Sequence, residues 1–140
     1  MCLQGQLSFS GQLADLDAAT GKKIKKAVEF YKQHQKLIQQ GIREQLTPIA
    51  PITDRTGWSA FYIHSKDCSQ GIFFAFRLDT TESRMRFRLP PGVAGGSCRL
   101  TDYDCGETIN ITEKDLYNDG IVLEIPEKNS GIILYLSRRA

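Results

Sequence analysis

The stretch of sequence that decides the fold lies between residues 58 and 89. It contains three runs: Trp-Ser-Ala-Phe-Tyr-Ile-His-Ser (58–65), Ile-Phe-Phe-Ala-Phe-Arg-Leu (72–78) and Arg-Met-Arg-Phe-Arg-Leu (84–89). Aromatic and β-branched residues crowd the first two runs, which is typical of strands buried on one or both faces. Short polar connections, at 66–71 and 79–83, predict that the three strands form two successive antiparallel hairpins.

The third run alternates strictly in polarity. Successive side chains of a strand point to opposite sides. We therefore expect apolar side chains toward the core and arginines toward solvent: Met85, Phe87 and Leu89 against Arg84, Arg86 and Arg88. The arginines form the one candidate basic surface, and with a net charge of only +2 a solvated strand face explains them better than a nucleic-acid interface.

The rest of the chain predicts further strands in the same core. They cover Ser97–Tyr103, Thr108–Ile111, Ile121–Ile125 and Ile132–Ser137. One helical turn is expected within 112–118, capped by Thr112 with Asp115 three residues on. Seven or eight short strands at regular spacing indicate a mainly β chain and are typical of a β-sandwich or barrel.

One long N-terminal helix is expected over residues 17–40. Its apolar residues recur at three- and four-residue spacing and form a single stripe: Ile24, Ala27, Val28, Tyr31, Leu37 and Ile38. Asp15 or Asp17 suits the start of this helix, and Gly41 suits a left-handed position just past its end. Two prolines within 42–57 predict an extended connection from helix to sheet.

Composition excludes several classes of protein. A chain of 140 residues that is 41% hydrophobic and 24% charged is an ordinary globular domain rather than a disordered or fibrous protein. No apolar run approaches the roughly 20 residues that cross a bilayer, so we expect neither a membrane span nor a membrane partner. No motif implies a cofactor.

The four cysteines, Cys2, Cys68, Cys98 and Cys105, fit no common zinc pattern with the two histidines. We therefore expect no metal site and partly buried free thiols, which slightly favours a reducing compartment such as the cytoplasm. Cys98 and Cys105 flank a predicted turn, and only the strand register decides whether they meet.

Candidate site residues are few. The carboxylates beside turns, Asp102, Asp104, Glu107 and Asp119, show no pattern that pairs them for glycoside hydrolysis. His64 is expected to end a strand near solvent, and His34 to be packed or half-exposed beside the helix stripe. The aromatic residues of the first two runs are expected to fill the core. Tyr103 and Tyr117, near turns, are the better surface candidates for binding a sugar.

Several segments carry a resemblance to a known family. They are Met-Cys-Leu-Gln-Gly (1–5), Phe30 to Gly41, Pro48 to Trp58, Ile72 to Arg77, Tyr103 to Glu107 and Leu116 to Ile125. In this order they resemble the C-terminal end of clan D glycoside hydrolases, the α-galactosidase-like families 27 and 36, and family 36 in particular. The aspartate of the Ser-Gly-Asp turn that follows the last barrel strand there is missing from Gln4-Gly5-Gln6, which puts a substrate contact at this point in doubt.

The resemblance implies a division of the chain into three parts. Residues 1–41 would be the last strand and helix of a truncated catalytic barrel, 42–57 an extended connection, and 58–140 the C-terminal antiparallel β-sandwich. The family's two catalytic aspartates stand on earlier barrel strands, so no catalytic residue is carried over and this chain alone is not expected to be an enzyme.

Three functions follow from these expectations. The first is a non-catalytic accessory domain that supports the catalytic barrel, with a homodimer through the helix stripe of Ile24, Val28, Tyr31 and Ile38. The alternative is a free-standing carbohydrate-binding module. The third is an interaction domain whose helix stripe binds another protein.

Overall fold

The computed structural model describes residues 15–51, 53–90, 96–112 and 114–138. The described chain is mainly β, as predicted, and it divides into two compact units between Gly41 and Ile42. The elements are α1 (Ala18–Gln40), β1 (Ile42–Gln45), β2 (Trp58–His64), β3 (Gln70–Arg77), β4 (Arg84–Phe87), β5 (Ser97–Asp102), β6 (Thr108–Thr112), a π-helical turn (Asp115–Asp119), β7 (Ile121–Glu124) and β8 (Ser130–Arg138).

The first unit contains α1, which begins one residue after the predicted start. Asp17 caps it, because one carboxylate oxygen accepts the backbone N–H groups of Ala19 and Thr20 at 2.9 Å each. The hydrogen bonds from Thr20 hold the pKa of the Asp17 carboxyl below its usual value. The prediction that Gly41 adopts a left-handed conformation is wrong. Its φ is −68° and its backbone is extended, because the chain continues directly into β1.

The predicted apolar stripe of α1 lies on its buried side. The buried residues are Ala27, Tyr31, His34, Leu37 and Ile38. Ile24 and Val28 are half-buried. His34 is therefore packed, and burial lowers its pKa. Among the described residues, no helix is long and apolar enough to span a membrane.

The second unit contains two antiparallel sheets. The large sheet has the strand order β1-β2-β3-β8-β5-β6, and the small sheet pairs β4 with β7. Side chains from both sheets share one hydrophobic core, which makes the unit a β-sandwich, as predicted. Aromatic rings connect the layers: the ring of Phe87 from β4 lies 5.3 Å from that of Phe73 in β3 and 5.9 Å from that of Trp58 in β2.

Of the two predicted hairpins, the first is confirmed and the second is wrong. β2 and β3 pair over seven residues, from Trp58↔Arg77 to His64↔Gly71. The free side of β3 is taken by β8 in eight pairs, and β4 instead crosses to the small sheet. β3 pairs with β8 in place of β4 because the longer β8 adds more ladder hydrogen bonds and cross-strand side-chain contacts.

The alternation predicted for β4 holds in part. Phe87 and Leu89 are buried, and the three arginines Arg84, Arg86 and Arg88 are exposed. Met85 is the exception, with 39% of its surface exposed. Its cross-strand partner Leu123 in β7 is buried in the core, so the exposure is confined to the β4 side of this pair.

The predicted connection 42–57 also contributes a strand. Its first four residues form β1, an edge strand that pairs with β2, and the two prolines follow after it. Buried Thr47 continues this contact, because its hydroxyl accepts the backbone N–H of Ala60 at 3.1 Å. The large sheet therefore starts at Ile42.

Candidate functional site

The turn between β5 and β6 holds most of the carboxylates considered from the sequence. Asp102 accepts the backbone N–H groups of Asp104 and Cys105 at 2.7 and 2.9 Å, and Gly106 completes the turn with a φ of +74°. Asp102 is therefore a structural acceptor of the turn. Asp104 and Glu107 are exposed beside it.

The two tyrosines named as surface candidates for binding a sugar lie on different connections. Tyr103 is half-buried in the β5–β6 turn, where its backbone N–H donates to the carbonyl of Ile133 at 2.9 Å. Burial raises the pKa of its phenol, and the Asp104 carboxylate adds to that increase. Tyr117 lies in the π-helical turn, and its side chain is outside the described structure. Sugar binding by this pair stays a prediction.

A cluster that sequence reasoning missed surrounds His64 at the end of β2. His64 ends its strand as predicted, but it does not lie near solvent, because only 5% of its surface is exposed. Edge strand β1 passes beside it, with Ile42 directly opposite, and the ring of Tyr62 stacks on it at 5.5 Å. The burial of His64 follows from the pairing of β1 with β2. The sequence did not predict that pairing, because the two prolines indicated an extended connection instead of a strand.

The cluster has the composition of a nucleophilic site without its geometry. His64 Nδ1 lies 2.9 Å from the carbonyl of Ser65, so this nitrogen carries the proton and donates it there. Cys68 Sγ lies 3.8 Å from the same nitrogen, and Glu44 Oε1 lies 3.9 Å from Nε2. A catalytic base needs a free lone pair directed at its nucleophile, and Nδ1 offers none to Cys68.

Arg77 forms a second buried cluster, at the end of β3. Its guanidinium donates to the carbonyls of Ile125 and Thr80 at 2.8 Å each, and also to those of Pro126 and Thr81. These carbonyls belong to the connection after β3 and to the segment after β7. One cation therefore ties the two connections together, a role signalled in the sequence only by an arginine within an apolar strand.

The described cysteines are thiols. Cys98 is buried at the start of β5, and Cys105 is exposed in the turn at its other end, so the register separates them. Cys2 lies outside the described residues. Within the ranges that the structure describes, no group of three or more histidine, cysteine, aspartate or glutamate residues could hold a metal ion.

Comparison with known proteins gives a clear structural result. No protein-family model and no curated protein matches the chain. Among solved structures, the α-galactosidase from Lactobacillus brevis superposes with a TM-score of 0.76 at 18% identity, over 96% of this chain and 19% of that one. The chain has the fold of part of an α-galactosidase.

Two further structures agree. The family 36 α-galactosidase AgaA from Geobacillus stearothermophilus matches with a TM-score of 0.69 at 20% identity, over 89% of this chain and 17% of that one. The galactosidase domain of the α-galactosidase–sucrose kinase AgaSK matches with a TM-score of 0.67 at 20% identity, with the same two coverages. The family 36 resemblance predicted from the sequence is thus confirmed at the level of the fold. The chain spans less than one fifth of these structures' lengths.

Proposed function

We propose that this chain is the C-terminal portion of an α-galactosidase-like glycoside hydrolase and serves as its non-catalytic accessory domain. In this proposal residues 1–41 supply the end of the catalytic barrel: α1 would be its last helix, while the strand predicted at the start of the chain lies outside the described residues. Residues 58–140, joined by β1 from the preceding connection, form the β-sandwich that supports the barrel. The observation that carries the proposal is the coverage: 89–96% of this chain matches 16–19% of each α-galactosidase.

The side chains described above are consistent with an accessory role. Retaining and inverting glycosidases use two carboxyl groups on either side of the scissile bond. In this chain Asp102 is held within its own turn by two backbone N–H groups, and Asp115 is bound to Thr112. In this proposal catalysis belongs to the part of the enzyme that precedes these residues in the family, as the resemblance implies.

The first test is activity. The purified 140-residue protein is incubated with an aryl α-galactoside, and we expect no release of the aryl group above the buffer rate. Turnover that survives further purification would contradict the proposal.

The second test is binding to the barrel. A separately expressed barrel, encoded by the reading frame upstream of Met1, should bind the chain and gain stability. A stop codon directly before Met1 in the source DNA would instead favour a free-standing protein.

A carbohydrate-binding module is the second candidate, favoured by the half-buried ring of Tyr103 at an exposed turn. Substituted forms of AgaA have been solved with raffinose and with stachyose, so these sugars are suitable probes for calorimetric titration. The module predicts binding that weakens in Tyr103→Ala and Tyr117→Ala. Flat titrations with the unmodified chain would exclude it.

A homodimer through the helix stripe also stays a prediction. Two of its residues, Tyr31 and Ile38, are buried within the chain, and only Ile24 and Val28 are partly accessible. Sedimentation of Val28→Asp beside the unmodified protein tests this contact: it should abolish a stripe dimer and leave any other association unchanged.

A further inference from the structure

The two edges of the large sheet differ in how they are protected. β1, at one edge, carries the charged residues Arg43 and Glu44. β6, at the other edge, has the uncharged sequence Thr-Ile-Asn-Ile-Thr (108–112), and 59% of the surface of Ile109 is exposed. Natural edge strands usually carry charge, proline or a bulge that prevents pairing with another chain. β6 has neither charge nor proline.

The backbone of β6 is oriented for pairing. Asp102 N–H donates to the carbonyl of Glu107 at 2.8 Å, at the closed end of the β5–β6 hairpin. Hydrogen-bonded and non-hydrogen-bonded pairs alternate from there, so the backbone groups of Ile109 and Ile111 face β5. Those of Thr108, Asn110 and Thr112 face outward, where the described strand order ends.

The sequence of β6 is a palindrome about Asn110. An antiparallel copy centred on this residue therefore places Asn110 opposite Asn110, isoleucine opposite isoleucine and threonine opposite threonine. A two-fold interface requires such self-complementarity. Pairs of threonines, and pairs of β-branched side chains such as isoleucine, are also favourable across antiparallel strands.

We propose that β6 is a self-association edge, at which two copies of this chain pair antiparallel about a two-fold axis through Asn110. The two Asn110 residues exchange two backbone hydrogen bonds, and each Thr108 N–H donates to the Thr112 carbonyl of the other copy. The Thr112 N–H is already held by Asp115 at 3.2 Å, so four intermolecular bonds form without disturbing that contact. This interface is smaller than those of stable dimers, and association is expected at high protein concentration.

Cysteine cross-linking tests the predicted register. The test uses the full chain with Cys2, Cys68 and Cys105 replaced by serine. In this background Asn110→Cys places two cysteines opposite each other, with their Cα atoms about 5.5 Å apart and within disulfide reach. Thr108→Cys is the matched control, because the two copies of that position stand about 14 Å apart. We expect mild oxidation to dimerise Asn110→Cys on the order of tenfold faster than the control. Equal rates would overturn the proposal.

A second pair of variants tests the edge without new thiols. Ile109→Lys puts charge on β6, while Ile42→Lys makes the same change at an exposed isoleucine on the opposite edge. Both are checked for an unchanged circular dichroism spectrum. Sedimentation equilibrium should show a dimer for the unmodified chain and for Ile42→Lys, and a monomer for Ile109→Lys. A concentrated unmodified chain that stays monomeric, or a dimer that persists in Ile109→Lys, would contradict the proposal.

Discussion

The connections on either side of β3 are similar in composition and opposite in outcome. The first, at 65–69, closes a hairpin with its own side chains: Asp67 accepts the hydroxyls of Ser65 and Ser69 at 2.5 and 2.9 Å. The second carries the chain to the other sheet. It is tied to distant segments: the indole N–H of Trp58 donates to the Glu82 carbonyl at 3.1 Å, and Arg77, which holds the Thr80 carbonyl, also donates to the Ile125 carbonyl after β7. Turn composition therefore predicts that the chain reverses, while distant anchors decide which strand it meets.

The largest expected loss of stability comes from a substitution at Gly71, which disrupts the first hairpin. The ring of Tyr62 lies diagonally across this glycine, and an added Cβ would stand 1.9 Å from the phenol oxygen and 2.3 Å from Cζ. Because Tyr62 is fully buried, the ring has little room to move. We expect Gly71→Ala to lower the free energy of unfolding by about 3 kcal/mol, measured by urea denaturation.

Two further variants check this explanation. Gly21→Ala in α1 meets no atom within 4 Å, so it should raise stability by about 0.5–1 kcal/mol. Tyr62→Leu should make the alanine at position 71 tolerable, whereas Tyr62→Phe should not, because the ring carbons remain too close. Equal losses from Gly71→Ala with and without Tyr62→Leu would contradict a ring clash.

The second connection is tested by a substitution at Arg77, which removes its buried hydrogen-bond donor. Arg77→Met leaves the Ile125 and Thr80 carbonyls without their buried donor, and charge-assisted hydrogen bonds stabilise more than neutral ones. We expect a loss of about 2 kcal/mol and faster amide exchange in β4 and β7 than in β2. The exposed Arg88→Met is the control and should change little. An Arg77→Met protein as stable as this control would show that the tie is not needed.

The smallest expected effect concerns the local bonds of the first turn. Hydrogen bonds from Ser65 and Ser69 lower the pKa of the Asp67 carboxyl from 3.8 to about 2. A carboxyl with a depressed pKa in the folded state stabilises it above pH 3.8, and this contribution is lost as the pH falls toward 2. The melting temperature of the unmodified chain should therefore fall slightly more than that of Asp67→Asn over this range. Parallel curves would contradict the assignment.

The sequence predicted what is local in this fold. The periodicity of Ile24 to Ile38 identified α1, and the β-branched and aromatic runs identified β2 and β3 within two residues of their ends. Pairing that depends on distant segments was harder to predict. Nothing near Arg84 indicates that β4 meets β7, and the prolines at 48 and 51 obscured the short β1.

The candidate sites divide in the same way. The turn role of Asp102 is local and agrees with its weak catalytic prospects. The burial of His64 depends on β1, and the role of Arg77 depends on carbonyls 48 and 49 residues away. Neither residue could be placed until the strand order was known. The family 36 resemblance was useful because it ordered segments rather than single residues.

The position of β8 has a consequence for how the chain folds. β8 lies between β3 and β5, so the β5–β6 hairpin joins the large sheet only through it. Long-range pairing of this kind slows folding. During synthesis, the two parts of the sheet must wait for residues 130–138 with the edges of β3 and β5 unpaired. This interval is when we expect the chain to be most prone to aggregation and most dependent on chaperones.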